Sequence, residues 1–133
     1  MQNKTSWFVM TFLFLLVSIY TVASGANWML IDRHVKRDLY IDMSSVKIIS
    51  KSKVRYWTII TDPNKSPSSG GYKDYIEMDC QKKRTRSVKS ETEDQEVNNG
   101  LVTVYSNKPI TWDAIEPDSC EEQIYEKLCG KKK

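Results

Sequence analysis

Three cysteines constrain the fold of this 133-residue chain more than any other feature. Cys120 and Cys129 fall in one predicted helix, where nine residues rise about 13.5 Å, beyond the roughly 7 Å Cα separation that a disulfide spans. In an oxidising compartment Cys80 therefore has two candidate partners, and loop entropy does not choose between them. Either bond would contribute on the order of 3–4 kcal/mol. The alternative is three unpaired buried thiols.

The first 25 residues predict that the chain is exported to such a compartment. A polar start with Lys4, the apolar run "WFVMTFLFLLVSIYTVA" and small residues at 23–26 form the pattern of a secretory signal peptide. The apolar run, of roughly 16 residues, is shorter than the span of about 20 that a bilayer needs. We therefore expect cleavage, a single mature domain at 26–133 that does not span the membrane, and no lipoprotein anchor, because no cysteine follows the cleavage site.

The charge balance of the mature chain argues against nucleic acid as a partner. The chain has 20 basic and 17 acidic residues, and of these only Lys4 lies in the leader, which leaves 19 against 17. Domains that bind phosphate backbones carry a much stronger positive excess. No closely spaced cysteine or histidine pair indicates a metal site, and we expect no cofactor. His34, the one histidine, lies in a polar segment near Asp32 without the nucleophile that catalysis would need.

Alternation of apolar and polar residues predicts strands through most of the mature chain. The strand at 54–61 places Trp57 and Ile59 on one face and Tyr56 on the other. The strand at 84–90 has one clear apolar residue, Val88, which predicts an edge or solvated position. The predicted strands are 27–33, 39–42, 46–49, 54–61, 72–80, 84–90 and 101–106, with a hairpin reversal at 50–53.

The C-terminal segment predicts one amphipathic helix. Ser119 and Glu122 have capping-box spacing, and Gly130 is placed to end the helix in a left-handed conformation. Cys120, Ile124 and Leu128 recur every four residues and form an apolar stripe. Because Cys80 shares a strand face with Ile76 and Met78, we expect that face to lie beneath this stripe. The predicted class is α+β.

The mature chain contains, in this order, Trp28, "YID" at 40–42, Ser45, Trp57, "DC" at 79–80, Arg84, Arg86, Gly100, Trp112, "PDS" at 117–119 and Cys129. In order and spacing these residues resemble the surface-adhesin protein E family over nearly the whole mature chain. The resemblance implies a curved six-stranded antiparallel sheet with one C-terminal helix packed on its concave face and tethered by a disulfide between Cys80 and Cys129. Cys120 departs from the family pattern and is either a buried free thiol, a thiol switch or the intermolecular link of a covalent homodimer.

The resemblance implies a binding module and not an enzyme: an exported envelope protein of a Gram-negative bacterium that binds host matrix or serum proteins or sulfated glycans. The alternative is a periplasmic structural or stress-related protein without a host ligand. We expect charge reversal at Lys82, Arg84 and Arg86 to abolish binding while leaving thermal unfolding unchanged. The candidate ligand-binding residues are the basic run Lys82, Lys83, Arg84 and Arg86 and the apolar pair Trp57 and Ile59.

Overall fold

A computed structural model of the chain describes residues 25–94, 102–105 and 111–130, with side chains described at 25–92 and 111–130. The predicted signal peptide lies outside the described residues, apart from Gly25. Within these described residues, seven strands and one helix follow in order, with a short 3-10 turn at Pro67–Ser69 between the third and fourth strands. They are β1 (Trp28–His34), β2 (Arg37–Ile48), β3 (Lys53–Thr61), β4 (Gly70–Asp79), β5 (Arg84–Asp94), β6 (Val102–Tyr105), β7 (Asp113–Ala114) and α1 (Cys120–Cys129).

The strands form one antiparallel sheet in sequence order from β1 to β6, curled like half a barrel. The two-residue β7 pairs with the start of β5, where Arg84 and Thr85 face Ala114 and Asp113. β6 pairs with the far end of the same strand. A six-stranded antiparallel sheet with one C-terminal helix is confirmed, and β7 adds a short second contact at the β5 edge.

The predicted interruption after "LYID" is wrong, because β2 runs unbroken through "MSS" to Ile48. The pairing register between β2 and β3 shifts between Asp42 and Lys47. Ser45 stabilises this irregularity, since its hydroxyl donates to the Asp42 carbonyl at 2.7 Å and accepts the Trp57 N–H at 2.8 Å. A side chain therefore completes the ladder where backbone pairing lapses, and the strand continues.

The edge position, one of the two alternatives predicted for residues 84–90, is wrong at both ends of this segment. β5 pairs along its length with β4 and is joined on its other side by β6 and β7. Its polar composition has a different cause, because Arg84 and Arg86 contact acidic side chains of β4. A strand can be polar inside a sheet when its charges have partners on the neighbouring strand.

The core lies between α1 and one face of the sheet, here called the helix face. Ile41, Tyr56 and Met78 of the sheet meet Ile124 of α1, and all four are 2% exposed or less. Burying an isoleucine of this kind contributes about 2 kcal/mol. The predicted face is confirmed, since Ile76 and Cys80 also pack against this cluster. The opposite face of the sheet is called the outer face.

The helix begins and ends where the sequence predicts, with one difference in backbone conformation. Ser119 accepts the Glu122 N–H at 3.1 Å, and the Glu122 carboxylate accepts the Asp118 N–H at 2.8 Å. At the other end Gly130 is right-handed, with φ −77°, so the predicted left-handed conformation is wrong. Its N–H donates to the Glu126 carbonyl and extends the helical hydrogen bonding by one residue.

A disulfide holds the C-terminal end of the helix to the sheet. It joins Cys80 and Cys129, whose Cα atoms are 5.6 Å apart. The Tyr125 hydroxyl donates to the Cys80 carbonyl at 3.1 Å beside this bond. The pairing implied by the resemblance is confirmed, and Cys120 is the free cysteine.

Candidate functional site

Charged side chains cross three neighbouring strands on the outer face. The pairing register of β3, β4 and β5 places acidic residues of the central strand between basic residues of its neighbours. Since residues opposite each other share a face, the side chains of each row point away from the helix. In each row the central carboxylate pairs with an arginine of β5. The two rows are Arg55–Glu77–Arg86 and Lys53–Asp79–Arg84.

Glu77 is the buried anion of the first row, with 1% of its side chain exposed. Its two carboxylate oxygens accept separate hydrogen bonds, from Arg55 Nε at 2.6 Å and from Arg86 Nη2 at 2.9 Å. Burial by itself raises the pKa of Glu77, but the two guanidinium groups outweigh it and hold the pKa below its usual range. The carboxylate is therefore ionised and fully paired at neutral pH.

Asp79 is the buried anion of the second row and also shapes the turn that follows β4. One oxygen accepts the backbone N–H groups of Gln81 and Lys82, each at 3.1 Å, and the other lies 3.5 Å from Arg84 Nε. Burial raises the pKa of Asp79, yet these donors together lower it below its usual range. The same carboxylate thus fixes the turn and neutralises an arginine.

The ring of Trp112 lies over one guanidinium group from each row. Its ring centroid lies 4.4 Å from Arg84 Cζ, 4.5 Å from Arg86 Cζ and 5.4 Å from Lys53 Nζ. Cations at these distances are attracted by the ring face, by about 0.5–1 kcal/mol each at exposed sites. Trp112 precedes β7, whose pairing with β5 brings the ring over this strand.

A pair of stacked aromatic residues extends this charged surface toward the middle of the strands. Trp57 stacks on Tyr75 with ring centroids 4.9 Å apart, and Lys89 Nζ lies 5.8 Å from the Trp57 ring. Lys89 also forms an ion pair with Glu91. We call the combined surface the outer-face patch; it consists of Lys53, Arg55, Trp57, Tyr75, Arg84, Arg86, Lys89 and Trp112.

The patch can present charged and aromatic groups to a ligand at the same time. The side chains of Arg55, Arg84 and Arg86 are 30–32% exposed, although each lies beside a buried carboxylate. Guanidinium groups bind carboxylate and sulfate oxygens through paired N–H donors. Aromatic faces next to them add apolar contact area. The arrangement is suited to an anionic partner with flat or ring-shaped elements.

The structure separates the predicted basic run into three roles. Lys82 is exposed in the turn between β4 and β5, outside any strand. Lys83, at φ 47°, points to the helix instead, and its Nζ donates to Glu122 at 2.6 Å. This hydrogen bond raises the pKa of Lys83 and lowers that of Glu122. Arg84 and Arg86 belong to the outer-face patch.

The pairing of Arg84 and Arg86 changes what their charge reversal would do. Glutamate at either position would face a buried carboxylate, which is destabilising for directly opposed strand residues. The expectation that thermal unfolding would stay unchanged is therefore replaced by an expected loss of stability. The ligand-binding roles of Lys82, Lys83, Arg84 and Arg86 stay predictions.

Of the two predicted apolar contact residues, Trp57 and Ile59, one is inaccessible. Ile59 is 0% exposed and lies between Tyr40 of β2 and Lys73 of β4 in the pairing register. It therefore offers no surface to a partner, whereas the partly buried Trp57 belongs to the patch. Five members of the patch were not among the predicted ligand-binding residues: Lys53, Arg55, Tyr75, Lys89 and Trp112. Part of this set was visible in the sequence, because alternation places residues 53, 55 and 57 on one face of their strand and residues 75, 77 and 79 on one face of theirs.

Cys120, the free thiol, donates a hydrogen bond to Asp32 Oδ2 at 3.3 Å. The same carboxylate oxygen lies 3.1 Å from His34 Nε2. Burial, with a further contribution from Asp32, raises the pKa of Cys120 to about 11. An activated cysteine needs a lowered pKa and a neighbouring base. Here a carboxylate separates the thiol from the imidazole, so these three residues do not form a nucleophile–base pair.

Within 25–94 and 111–130, no group of three or more histidine, cysteine, aspartate or glutamate side chains is placed to hold a metal ion. In the same part of the chain, no helix combines the length and apolar character that crossing a membrane requires. The predicted homodimer stays a prediction.

Known structures with this fold are available for comparison. The selenomethionine form of Haemophilus influenzae protein E superimposes with a TM-score of 0.60 at 17% identity, covering 83% of this chain and 89% of that one. Protein E from non-typeable Haemophilus influenzae gives a TM-score of 0.60 at 17% identity over 84% and 79% of the two chains. A likeness at this identity establishes a shared fold. No curated protein sequence matches the chain.

Sequence comparison at the family level gives a more direct assignment. Residues 28–130 match the family described as Surface-adhesin protein E. The match begins with β1, ends with the last turn of α1, and includes both disulfide cysteines and every residue of the outer-face patch. The chain belongs to the Surface-adhesin protein E family.

Proposed function

We propose that this protein is an adhesin that binds an acidic or sulfated host macromolecule through the outer-face patch. Membership of the family supports the adhesin role. The single observation that carries the choice of surface is Trp112, whose ring covers three cations on one face of the sheet. The ligands in view are sulfated glycans and acidic segments of matrix or serum proteins.

The charge balance of the patch supports an anionic ligand. The patch contributes five cations, while Glu77, Asp79 and Glu91 provide three carboxylates that pair with them. Two cations are therefore in excess. A local excess of this size guides encounter with anions and leaves the affinity sensitive to salt. The aromatic rings supply the contact area that charge alone lacks.

A binding test must avoid the arginines, because they neutralise buried carboxylates. Lys53 and Lys89 each lie beside an aromatic ring and contact neither Glu77 nor Asp79. The double variant Lys53→Gln/Lys89→Gln should bind immobilised heparin about fivefold more weakly, since exposed charges contribute up to roughly 1 kcal/mol each. Surface plasmon resonance at several salt concentrations measures this, with desulfated heparin, which keeps its carboxylates but lacks sulfate, as the comparison of lower charge.

The matched control is Lys36→Gln/Lys127→Gln, which removes the same charge from exposed positions elsewhere. It should bind heparin as the unmodified protein does. Equal loss in both double variants would show that overall charge, and not the patch, determines binding. A basement-membrane extract in place of heparin extends the test to matrix proteins. Thermal unfolding of each variant confirms that the fold is retained.

The adhesin role also requires exposure at the cell surface. Intact cells treated with a protease that cannot cross the outer membrane should lose the protein from immunoblots. A periplasmic control protein should survive the same treatment. If this protein survives as well, the alternative of a periplasmic protein without a host ligand replaces the adhesin. Location and ligand are thus tested separately.

A further inference from the structure

A cavity of about 460 Å³ lies on the helix face, between the sheet and the first turn of α1. It is separate from the outer-face patch, which occupies the other side of the same sheet. Its volume is within the range of small-molecule sites in proteins. Four of the lining side chains are apolar: Leu39, Ile60 and Ile76 from the sheet and Ile124 from α1.

The charged groups lining the cavity are mostly acidic. Four carboxylates line it, whereas Arg37 is the one arginine or lysine in the lining described, and His34 lies at the margin with 64% of its side chain exposed. The N-terminus of α1 adds the equivalent of roughly half a positive charge. This contribution is smaller than the carboxylate excess. The four acidic residues are Asp32, Asp74, Asp118 and Glu121.

Asp74 differs from Glu77 and Asp79 of the outer face in having no cationic partner among its hydrogen bonds in the described structure. Its Oδ1 accepts hydrogen bonds from the hydroxyls of Ser87 and Ser90, the latter at 2.9 Å. Burial raises the pKa of Asp74, and the two hydroxyls only partly offset this. The negative charge is held by neutral donors and is available to a cation that enters the cavity.

Tyr56 is an independent sign that the cavity accommodates a polar group. Its side chain lines the cavity and is 1% exposed, and within the described part of the chain its hydroxyl makes no hydrogen bond. This hydroxyl is not among the fully buried unpaired polar atoms of the described structure, so a ligand in the cavity can reach it. Burial raises the pKa of Tyr56, with further contributions from Glu121 and Asp74. The hydroxyl therefore stays neutral and can accept a hydrogen bond from a ligand.

We propose that this cavity binds a small organic cation whose protonated amino group contacts Asp74 and Tyr56. The two residues are diagonal neighbours on the helix face of β3 and β4, so one ammonium group can lie between them. An ammonium group has three donors, which suit a carboxylate and a phenolic oxygen together. The methylene chain attached to the amino group lies along the apolar side chains that line the cavity. This site goes beyond adhesion and does not depend on the proposed function.

The first test is calorimetric titration with 1,4-diaminobutane and with 1,4-butanediol, which has the same chain length without charge. The diamine should bind saturably and the diol should not. Asp74→Asn should weaken diamine binding at least about tenfold, because a hydrogen bond to a charged group is lost. Asp113→Asn, an exposed carboxylate of β7, should bind as the unmodified protein does. Equal binding of diamine and diol, or equal affinity in the two variants, would overturn the proposal.

A second measurement uses the free cysteine, Cys120, which lines the cavity. Cationic aminoethyl and anionic sulfonatoethyl methanethiosulfonates each form a mixed disulfide with its thiolate and release methanesulfinate. Relative to a small reference thiol, the cationic reagent should react several-fold faster, because the lining attracts positive charge. The diamine should slow this reaction and the diol should not. Equal corrected rates, or no protection, would contradict the proposal.

The source of the amino group is a separate question that the same titration answers. N-acetyl-lysine methylamide carries the ammonium group as a protein side chain would present it. Binding of the diamine and of this amide indicates that both free amines and lysine side chains enter. Binding of the diamine alone indicates a free-amine site. Failure of both overturns the cavity proposal while leaving the heparin experiment unaffected.

Discussion

Asp74 and Glu77 lie three residues apart on β4, on opposite faces of the same sheet. Burial raises the pKa of both carboxyl groups, yet the pKa of Asp74 stays above its usual range and that of Glu77 falls below it. Glu77 accepts from the guanidinium groups of Arg55 and Arg86, whereas Asp74 accepts from the hydroxyls of Ser87 and Ser90. The charge of the hydrogen-bond partner, and not the depth of burial, decides whether the pKa of the carboxyl group is raised or lowered.

This difference gives the two faces opposite capacities. On the outer face Glu77 and Asp79 are neutralised by arginines of the sheet, and the surplus charge of the patch is positive and partly exposed. On the helix face the carboxylate excess lines a cavity. One thin sheet can therefore attract anions on one side and cations on the other, since each set of charges is shielded from the opposite face.

The largest expected effect comes from removing the disulfide, which affects one face more than the other. Cys80→Ala/Cys129→Ala should lower the free energy of unfolding by about 4 kcal/mol, given the 49-residue separation. With the helix released, water reaches Asp74 and its pKa should move back toward the usual range. The pKa of Glu77 should stay low, because its ion-pair partners, Arg55 and Arg86, lie on the neighbouring strands of the sheet. Chemical unfolding and NMR titration of both carboxyl groups measure these outcomes.

Parallel movement of the two pKa values in that variant would break the comparison. It would mean that the helix supports the outer face as well as its own. A native protein treated with reductant provides the sequence-matched control. Its unfolding free energy should fall by a similar amount.

The next largest effect is expected from Glu77→Gln, which leaves Arg55 and Arg86 without their anion. We expect a loss of roughly 2–3 kcal/mol at pH 7, less than for a fully buried pair because both arginines are one-third exposed. Because the folded pKa of Glu77 is lowered, its contribution is complete above the ordinary glutamate pKa of about 4.3. It disappears as pH falls through the folded pKa.

The difference between Glu77→Gln and the unmodified protein should therefore shrink on acidification. Urea unfolding between pH 7 and pH 3 gives the comparison directly. Glu116→Gln, an exposed glutamate before the helix, is the control and should leave stability within about 0.5 kcal/mol of the original. A constant difference across this pH range would show that Glu77 acts through packing alone.

Much of the scaffold was predictable because its signals are local. Strand alternation assigned Tyr56 to the helix face, and four-residue spacing placed Ile124 on the buried stripe of α1. The cysteine geometry reduced the pairing to two choices, and the family resemblance selected Cys129. The Ser119 cap was also predictable, since it depends on residues three apart.

The outer-face patch was only partly predictable because it depends on register between strands. Glu77 meets Arg86 because the β4–β5 turn includes Lys83 in a left-handed conformation and is fixed by Asp79, which residue patterns did not reveal. Trp112 lies in an irregular segment without periodicity, so its position over β5 was not visible. Ile59 alternates like an exposed residue, yet the strand neighbours that bury it are distant in sequence.

The smallest expected effect, and the one that most sharpens the comparison, comes from Asp74→Asn. The amide oxygen can still accept from Ser87 and Ser90, so the geometry is retained while the charge is removed. Because the folded pKa is raised, ionisation of Asp74 disfavours the folded state as pH rises above the ordinary aspartate pKa of about 3.9. The asparagine variant lacks this penalty and should be more stable at pH 7, by roughly 0.5 kcal/mol. Its advantage over the unmodified protein should grow between pH 4 and pH 7 in urea unfolding, opposite to the pH dependence lost in Glu77→Gln. A destabilised Asp74→Asn at pH 7 would mean that the carboxylate has a compensating positive partner on the helix face, and that the two faces do not differ in the way proposed.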